Sequence, residues 1–349
     1  MNNTSDNETD YYAFYDKIQT MYYASYIWVL AAFGVPGNVA CILTVATMTM
    51  TTATVYVVLL AAADLAALVL KLIYHQIYYH EVPVNTFICK GDVVVQVVSC
   101  YANWTLVLIC FERFLGVCYP LKRNAYFTTK KAIVIAVLLG LTLCLCFLYG
   151  FVQMDKTEEG YCYVPEYARE FHTTYWYWII ASIYFFLPFI LISIFTGLII
   201  VSLRRQRKAR ETIRVTAQST SGKTTEARVE QTICIMMLCA AIVFLLLILP
   251  TCIYHSIAPL EILKDDTPEK FFASSMFQYL AISLSEANHA VNFYIYFLSA
   301  KRFRFRFRDL MGKCFPFLRR RAHENIYKGY TSKTQSSVLH ESNINVKIV

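Results

Sequence analysis

Seven apolar runs, each long enough to cross a bilayer, dominate this 349-residue sequence. They cover residues 22–48, 52–79, 87–118, 131–154, 174–203, 231–257 and 271–300. A hydrocarbon core of about 30 Å takes ~20 helical residues. The runs are continuous rather than alternating, which excludes a membrane barrel. Apolar residues make up 57% of the chain and charged ones 16%, which excludes an ordinary soluble domain. The reading is an all-α membrane protein, a seven-transmembrane helix bundle.

Charge sets its orientation. Segments 1–21, 75–88, 154–171 and 258–270 hold 14 acids and 5 bases. Segments 119–131, 204–230 and 301–349 hold 24 bases and 6 acids. Lys and Arg concentrate on the cytoplasmic side, so the N-terminus is expected outside a plasma membrane and the C-terminus inside. The first inner connection, Thr49 to Thr52, carries no charge. The net charge of +8 follows this layout, and nucleic-acid binding is not expected. Residues 1–20 lack a basic start and an apolar core, so the first run is expected to serve as its own insertion signal.

The expected organisation is an outer tail (1–21), the bundle (22–300), an amphipathic juxtamembrane helix (301–312) and a cytoplasmic tail (313–349). Asn2, Asn3 and Asn7 each begin a glycan acceptor pattern. Asn103 does too, but it lies mid-span and is set aside. The tetrad Tyr175, Trp176, Tyr177 and Trp178 suits an interfacial belt. In 301–311, phenylalanine and arginine alternate. Beside a membrane this predicts a short surface helix, its phenylalanines dipping and its arginines meeting anionic lipid. Cys314 just beyond is a candidate for acylation, with a free thiol as the alternative. Thr331, Ser332, Thr334, Ser336 and Ser337 are open to kinases. Nine of the twelve cysteines fall in or beside apolar runs and read as small packing residues. Cys89 and Cys162 lie in outer segments, where a disulfide is permitted.

Charges inside the runs are costly and mark function by default. Glu112 and Arg113 sit side by side at the end of the third run, and Pro120 then stops the helix. Arg113 is expected at the inner face of the bundle as part of a switch. Asp64 lies mid-membrane in the second run and needs a partner. Asn288 and Asn292, four residues apart, share one helix face.

Several of these features recur in one known arrangement: Gly37-Asn38, Leu60 to Asp64, Glu112-Arg113-Phe114, Phe185 to Pro188, Phe244 before Pro250, and Asn288 followed by Asn292 to Tyr296. With Cys89 and Cys162, the set resembles rhodopsin-like (class A) G-protein-coupled receptors over residues 22–312. The form Asn292-Phe293-Tyr294-Ile295-Tyr296 resembles invertebrate neuropeptide receptors of the FMRFamide, myosuppressin and sex-peptide groups. The chain departs from the family pattern at Leu139, Thr196 and Ile248, and Cys89 lies one residue nearer Arg113 than usual.

The resemblance implies a Cys89–Cys162 disulfide pinning an outer hairpin. It implies that Arg113 pairs at rest with Glu112 and with Glu230, and that Asn292 and Tyr296 belong to the same switch. Glu230 as a solvated loop charge is the alternative. It implies a sodium ion among Asp64, Asn288 and Asn292; water-bridged polar packing is the other reading, because Ala102 stands where a serine is usual. Otherwise no cofactor or metal site is expected. Glu286 and Lys71 would face the central cavity. Either Glu286 binds a cation on the ligand, with Asp92, Gln96 and His255 beside it, or Lys71–Glu286 is a plain ion pair. No lysine lies between Lys270 and Lys301 for a retinal Schiff base, and Val95 replaces the aspartate of monoamine receptors.

Asp155, Glu158, Glu159, Glu166, Glu170, Glu261, Asp265, Asp266 and Glu269 give an acidic mouth that would draw in a cation. The expected function is therefore reception of an extracellular basic or amidated neuropeptide, with heterotrimeric G proteins, arrestin, receptor kinases and membrane lipids as partners. Enzyme activity has no support. The alternatives are an ion or proton transporter or channel that uses the intramembrane charges, and a receptor of the same fold for a non-peptide ligand. Against transport, no inverted repeat and no broken pair of spans is visible.

Overall fold

The computed structural model of the chain describes residues 3–119, 123, 127–157, 161–216, 225–258 and 267–314. The long helices among them are α1 (Asn3–Ala46), α2 (Thr52–Tyr79), α3 (Thr86–Cys118), α4 (Thr129–Gln153), α5 (166–216), α6 (Thr225–Ile257) and α7 (Pro268–Ser299). A shorter α8 (Lys301–Cys314) follows. Together they form the all-α seven-helix bundle. Stretches of α1 to α6 are long and apolar enough to cross a membrane. α7 has the length but not the apolarity, because it carries Gln278, Ser283, Glu286, Asn288, His289 and Asn292. That polarity is turned inward: Asn288, His289 and Asn292 are buried. Leu138, Leu141 and Leu145 of α4 point outward, where hydrocarbon would cover them. The core runs along α2, α3, α6 and α7 through Tyr56, Leu106, Phe244 and Tyr296.

Short polar residues start the helices, because the first N–H groups of a helix lack intrahelical acceptors. Thr51 and Thr54 cap α2 reciprocally: each hydroxyl accepts from the other residue's backbone N–H, at 3.3 and 2.6 Å. The uncharged first connection is thus a threonine cap. Asn85 Oδ1 accepts from Ile88 N at the start of α3. Thr128 caps α4, and Thr267, with Pro268 at the first helical position, caps α7.

α5 is the least regular helix. Two π turns, His172–Trp176 and Ser182–Phe186, interrupt it. Pro188 follows the second and has no N–H. The donor that would reach the Tyr184 carbonyl in an α turn, or the Ile183 carbonyl in a π turn, is therefore missing. Both are served from α3: Asn103 Nδ2 donates to Tyr184 O at 3.3 Å, and Trp104 Nε1 donates to Ile183 O at 2.8 Å. Asn103, set aside as a glycan acceptor, is 2% exposed and committed to this bond.

Strands β1 (Asp155–Lys156) and β2 (Cys162–Tyr163) pair antiparallel between α4 and α5, with Lys156 opposite Cys162. Cys162 is disulfide-bonded to Cys89 at the start of α3. Thr86 Oγ1 donates to Asp155 Oδ1 at 2.6 Å. That bond, with the N–H of Lys156, holds the Asp155 carboxyl below the usual carboxylate range. We call this pole the disulfide end and the other the arginine end.

Three features differ from expectation. α1 is continuous from Asn3, through the expected boundary at residue 21. Tyr22 and Tyr15 of that helix meet Ser283 and Tyr279 of α7, with hydroxyl contacts of 2.6 and 3.0 Å. α5 begins at Glu166, well before residue 174. In α8 the phenylalanines do not share one direction. Helical spacing sends Phe303 and Phe307 under the bundle against Phe293, and leaves Phe305 68% exposed. Arg304 Nη1 donates to the carbonyls of Phe297 and Leu298 at the end of α7.

Trp104→Phe keeps an aromatic ring, smaller than the indole, and removes the donor to Ile183 O. An unsatisfied buried group costs about 1–3 kcal/mol. The purified protein is expected to melt lower than Trp28→Phe, whose ring is half-exposed. Equal melting of the two variants in differential scanning fluorimetry would remove Trp104 from the account of the α5 turn.

Candidate functional site

Three polar groups lie along the bundle, and the residues singled out in the sequence fall into them.

At the arginine end, Glu112 and Arg113 close α3, 1% and 8% exposed. Arg113 Nε lies 2.6 Å from Glu112 Oε2, a close charge contact. The other carboxylate oxygen is taken by Arg123, whose Nη2 and Nε donate to Oε1 at 2.8 and 3.1 Å. Arg123 Nη2 also donates to Thr52 Oγ1 of α2 at 3.4 Å. One buried carboxylate thus holds two guanidiniums, one from its own helix and one from the connection to α4. The Arg123 bonds are charge-assisted and of the strong kind, whereas the Arg113 contact is an ion pair without hydrogen-bond geometry. In the sequence Arg123 is one base of the segment 119–131, which entered only through its charge. Its position ten residues past Arg113, beyond the end of a helix, gave no spacing rule to pair it. Glu230 lies on α6, but its side chain lies outside the described residues. Tyr296 is buried, and its hydroxyl meets no hydrogen-bond partner among the described residues.

In the middle, Asp64 is fully buried. His289 Nδ1 lies 2.8 Å from Oδ1, and Asn292 Nδ2 lies 2.8 Å from Oδ2. Asn38 Nδ2 donates to the backbone carbonyl of His289 at 2.8 Å, tying α1 to the same turn of α7. Gly34 makes that approach feasible: a Cβ there would collide with Leu68 and Ala290. Asn288 is buried alongside, but its side chain does not bond Asp64. His289 was missed because it reads as one more polar residue between two asparagines. Its position three residues before Asn292 was the available signal.

Towards the disulfide end, Lys71 Nζ lies 3.5 Å from Glu286 Oε1, both side chains 16% exposed. Glu286 Oε2 has no hydrogen-bond partner among the described residues. Gln96 Nε2 donates to Asp92 Oδ2 at 3.3 Å. Beside them a cavity of about 320 Å³ opens between α3, α4, α5 and α6. Gln96, His172, Trp176, Tyr177, Phe185 and His255 line it; Lys71, Glu286 and Asp92 do not. His255 stacks on Phe185 at 4.9 Å and meets the Tyr177 hydroxyl at 2.8 Å. Both π turns of α5 contribute to the wall, as wide turns often do at functional sites. The aromatic tetrad is therefore not wholly an interfacial belt: Trp176 and Tyr177 face this cavity, while Tyr175 and Trp178 face out.

Asn2 lies outside the described residues, as do the side chains of Asn3 and Asn7, the tail beyond Cys314, and Glu158, Glu159, Glu261, Asp265 and Asp266 of the acidic mouth. Cys314 is exposed at the end of α8. Among the described residues, no His, Cys, Asp and Glu cluster suits a metal ion.

The profile of the family "7 transmembrane receptor (rhodopsin family)" matches residues 37–296. The chain is also similar to the FMRFamide receptor of Drosophila melanogaster, 24% identical over 229 residues that cover 60% of this chain and 36% of that protein. The chain therefore spans about a third of the length of the curated relative it matches. The matched profile covers all seven long helices from Gly37 of α1 to Tyr296 of α7, together with each polar group described above, and the chain belongs to the rhodopsin family of seven-transmembrane receptors.

Proposed function

We propose that this chain is a plasma-membrane receptor, its N-terminus and disulfide end outside, that binds a cationic or amidated peptide and activates a heterotrimeric G protein. The observation that carries the reading is that the same helices, α3, α5 and α6, wall a cavity at one end and converge beside Arg113 at the other. A ligand that prefers one packing of these helices shifts a balance between two states; nothing else is required of it.

The chemistry of the cavity narrows the ligand. Its lining is aromatic and imidazole-rich, with no Asp, Glu, Lys or Arg. Aromatic or aliphatic ligand side chains suit it. The free oxygen of Glu286 supplies the site for a cation nearby. A C-terminal amide carries no charge that would oppose an acidic entrance. FMRFamide, the peptide in the name of the Drosophila relative, combines two phenylalanines, one arginine and such an amide. Related amidated peptides are the first probes. At the other end, Glu112 holds Arg113 and Arg123 in the resting state, and release of Arg113 exposes a guanidinium to the G protein. α8, the segment beyond it and any lipid on Cys314 would then serve arrestin, receptor kinases and membrane attachment.

Cells expressing the full chain are expected to answer an arginine-containing amidated peptide in a calcium or cAMP assay. Silence across a panel of such peptides would overturn the peptide reading. Glu286→Gln is expected to lower potency about tenfold or more, equivalent to about 1.4 kcal/mol. An unchanged dose–response curve would leave Glu286 to Lys71 alone.

Glu112→Gln removes the carboxylate that both guanidiniums share. Basal guanine-nucleotide exchange is expected to rise several-fold in Glu112→Gln and to be lost in Arg113→Ala. A basal rate at the wild-type level in Glu112→Gln would show that Glu112 is not the restraint.

A further inference from the structure

The family resemblance implies a sodium ion beside Asp64, and the residues around Asp64 do not fit one. A hard cation takes oxygen ligands and needs the carboxylate oxygens turned toward it. Here both face nitrogen. Oδ2 accepts from the Asn292 amide, and Oδ1 lies against the His289 ring, each at 2.8 Å. Against an ionised carboxylate, Nδ1 of His289 must be the donor. It donates from the neutral ring as well as from the doubly protonated one, so the contact does not require a charged histidine. The third-helix position that would supply a hydroxyl is the methyl of Ala102.

The turn of α7 that carries the ring is also fixed. Asn38 fixes the backbone carbonyl of His289, and α1 packs closely on this turn of α7 through Gly34. His289 is 2% exposed and Asp64 is 0% exposed, which leaves the imidazole little room to withdraw for an entering ion. The acceptors left over nearby, Asn38 Oδ1 and Asn292 Oδ1, are neutral amide oxygens that water can satisfy.

We propose that His289 is a built-in plug. It occupies the place of the cation beside Asp64, joins α2 to α7 as a fixed part of the chain, and makes this receptor indifferent to sodium. An exchangeable ion is replaced by a side chain, so the resting packing of α2 on α7 does not depend on the salt outside.

Sodium itself is the probe, and neither peptide nor G protein is needed. The thermal midpoint of the purified full-length receptor would be measured in sodium chloride and in choline chloride at equal ionic strength. Wild type is expected to melt at the same temperature in both. His289→Ser is expected to gain a midpoint a few degrees higher in sodium, and to lose that gain when Asp64→Asn is added. A wild-type midpoint that rises with sodium and needs Asp64 would overturn the proposal. So would a His289→Ser variant that folds and stays blind to sodium. If His289→Ser does not fold, His289→Asn is read in the same way. A failure here leaves the reading as a peptide receptor standing, because no ligand enters the measurement.

Discussion

A polar group inside hydrocarbon has no water to turn to, and the rest of the structure follows from that constraint. Helices answer it for the backbone. For side chains, and for the carbonyls that a proline deprives of donors, the answer must come from a neighbouring helix. Several of these groups are met across helices here: Asp64 by α7, Glu286 Oε1 by α2, and the Ile183 and Tyr184 carbonyls by α3, while Asn38 of α1 finds its acceptor in the His289 carbonyl. The polar links therefore double as the ties that set how the helices sit against one another. Apolar side chains alone would not do this, because lipid is as apolar as leucine.

The placement of these ties has a functional logic. The cavity wall of α5 is built from two π turns, and the second is clamped by Asn103 and Trp104 of α3. About two helical turns along from that clamp, α3 reaches Glu112 and Arg113. A shift of α5 at the cavity is therefore felt by the helix that carries the arginine. At the far pole the shared carboxylate of Glu112 links α3 to the connection that holds Arg123 and, through Thr52, to the start of α2.

Most of the architecture was legible in the sequence, because the thickness of a hydrocarbon core leaves few choices for runs of this length and apolarity. The helices fell close to the apolar runs, and Cys89 and Cys162 met as the resemblance implied. Helix ends were less legible. α1 and α5 run past their apolar segments, where tyrosines rather than hydropathy carry the packing. The site was legible by type and only partly by partner: Glu112 with Arg113, Lys71 with Glu286 and Asp64 with Asn292 meet as read. Asp64 and Glu112 announced themselves as buried acids, but the groups that meet them, His289 and Arg123, follow no fixed spacing from them. Phe303, Phe305 and Phe307 show the limit of pattern reading: alternation in sequence became two directions on a helix.

The tyrosine contacts between α1 and α7 have a mechanical consequence. Tyr15 and Tyr22 stand on Tyr279 and Ser283, and Phe14 lies beside Phe272, so the first helix is braced to the seventh over about two of its turns at the disulfide pole. A brace of that length makes the two helices a single lever. Any tilt of the seventh swings the amino-terminal end of the first sideways, and that same seventh helix carries His289 against Asp64.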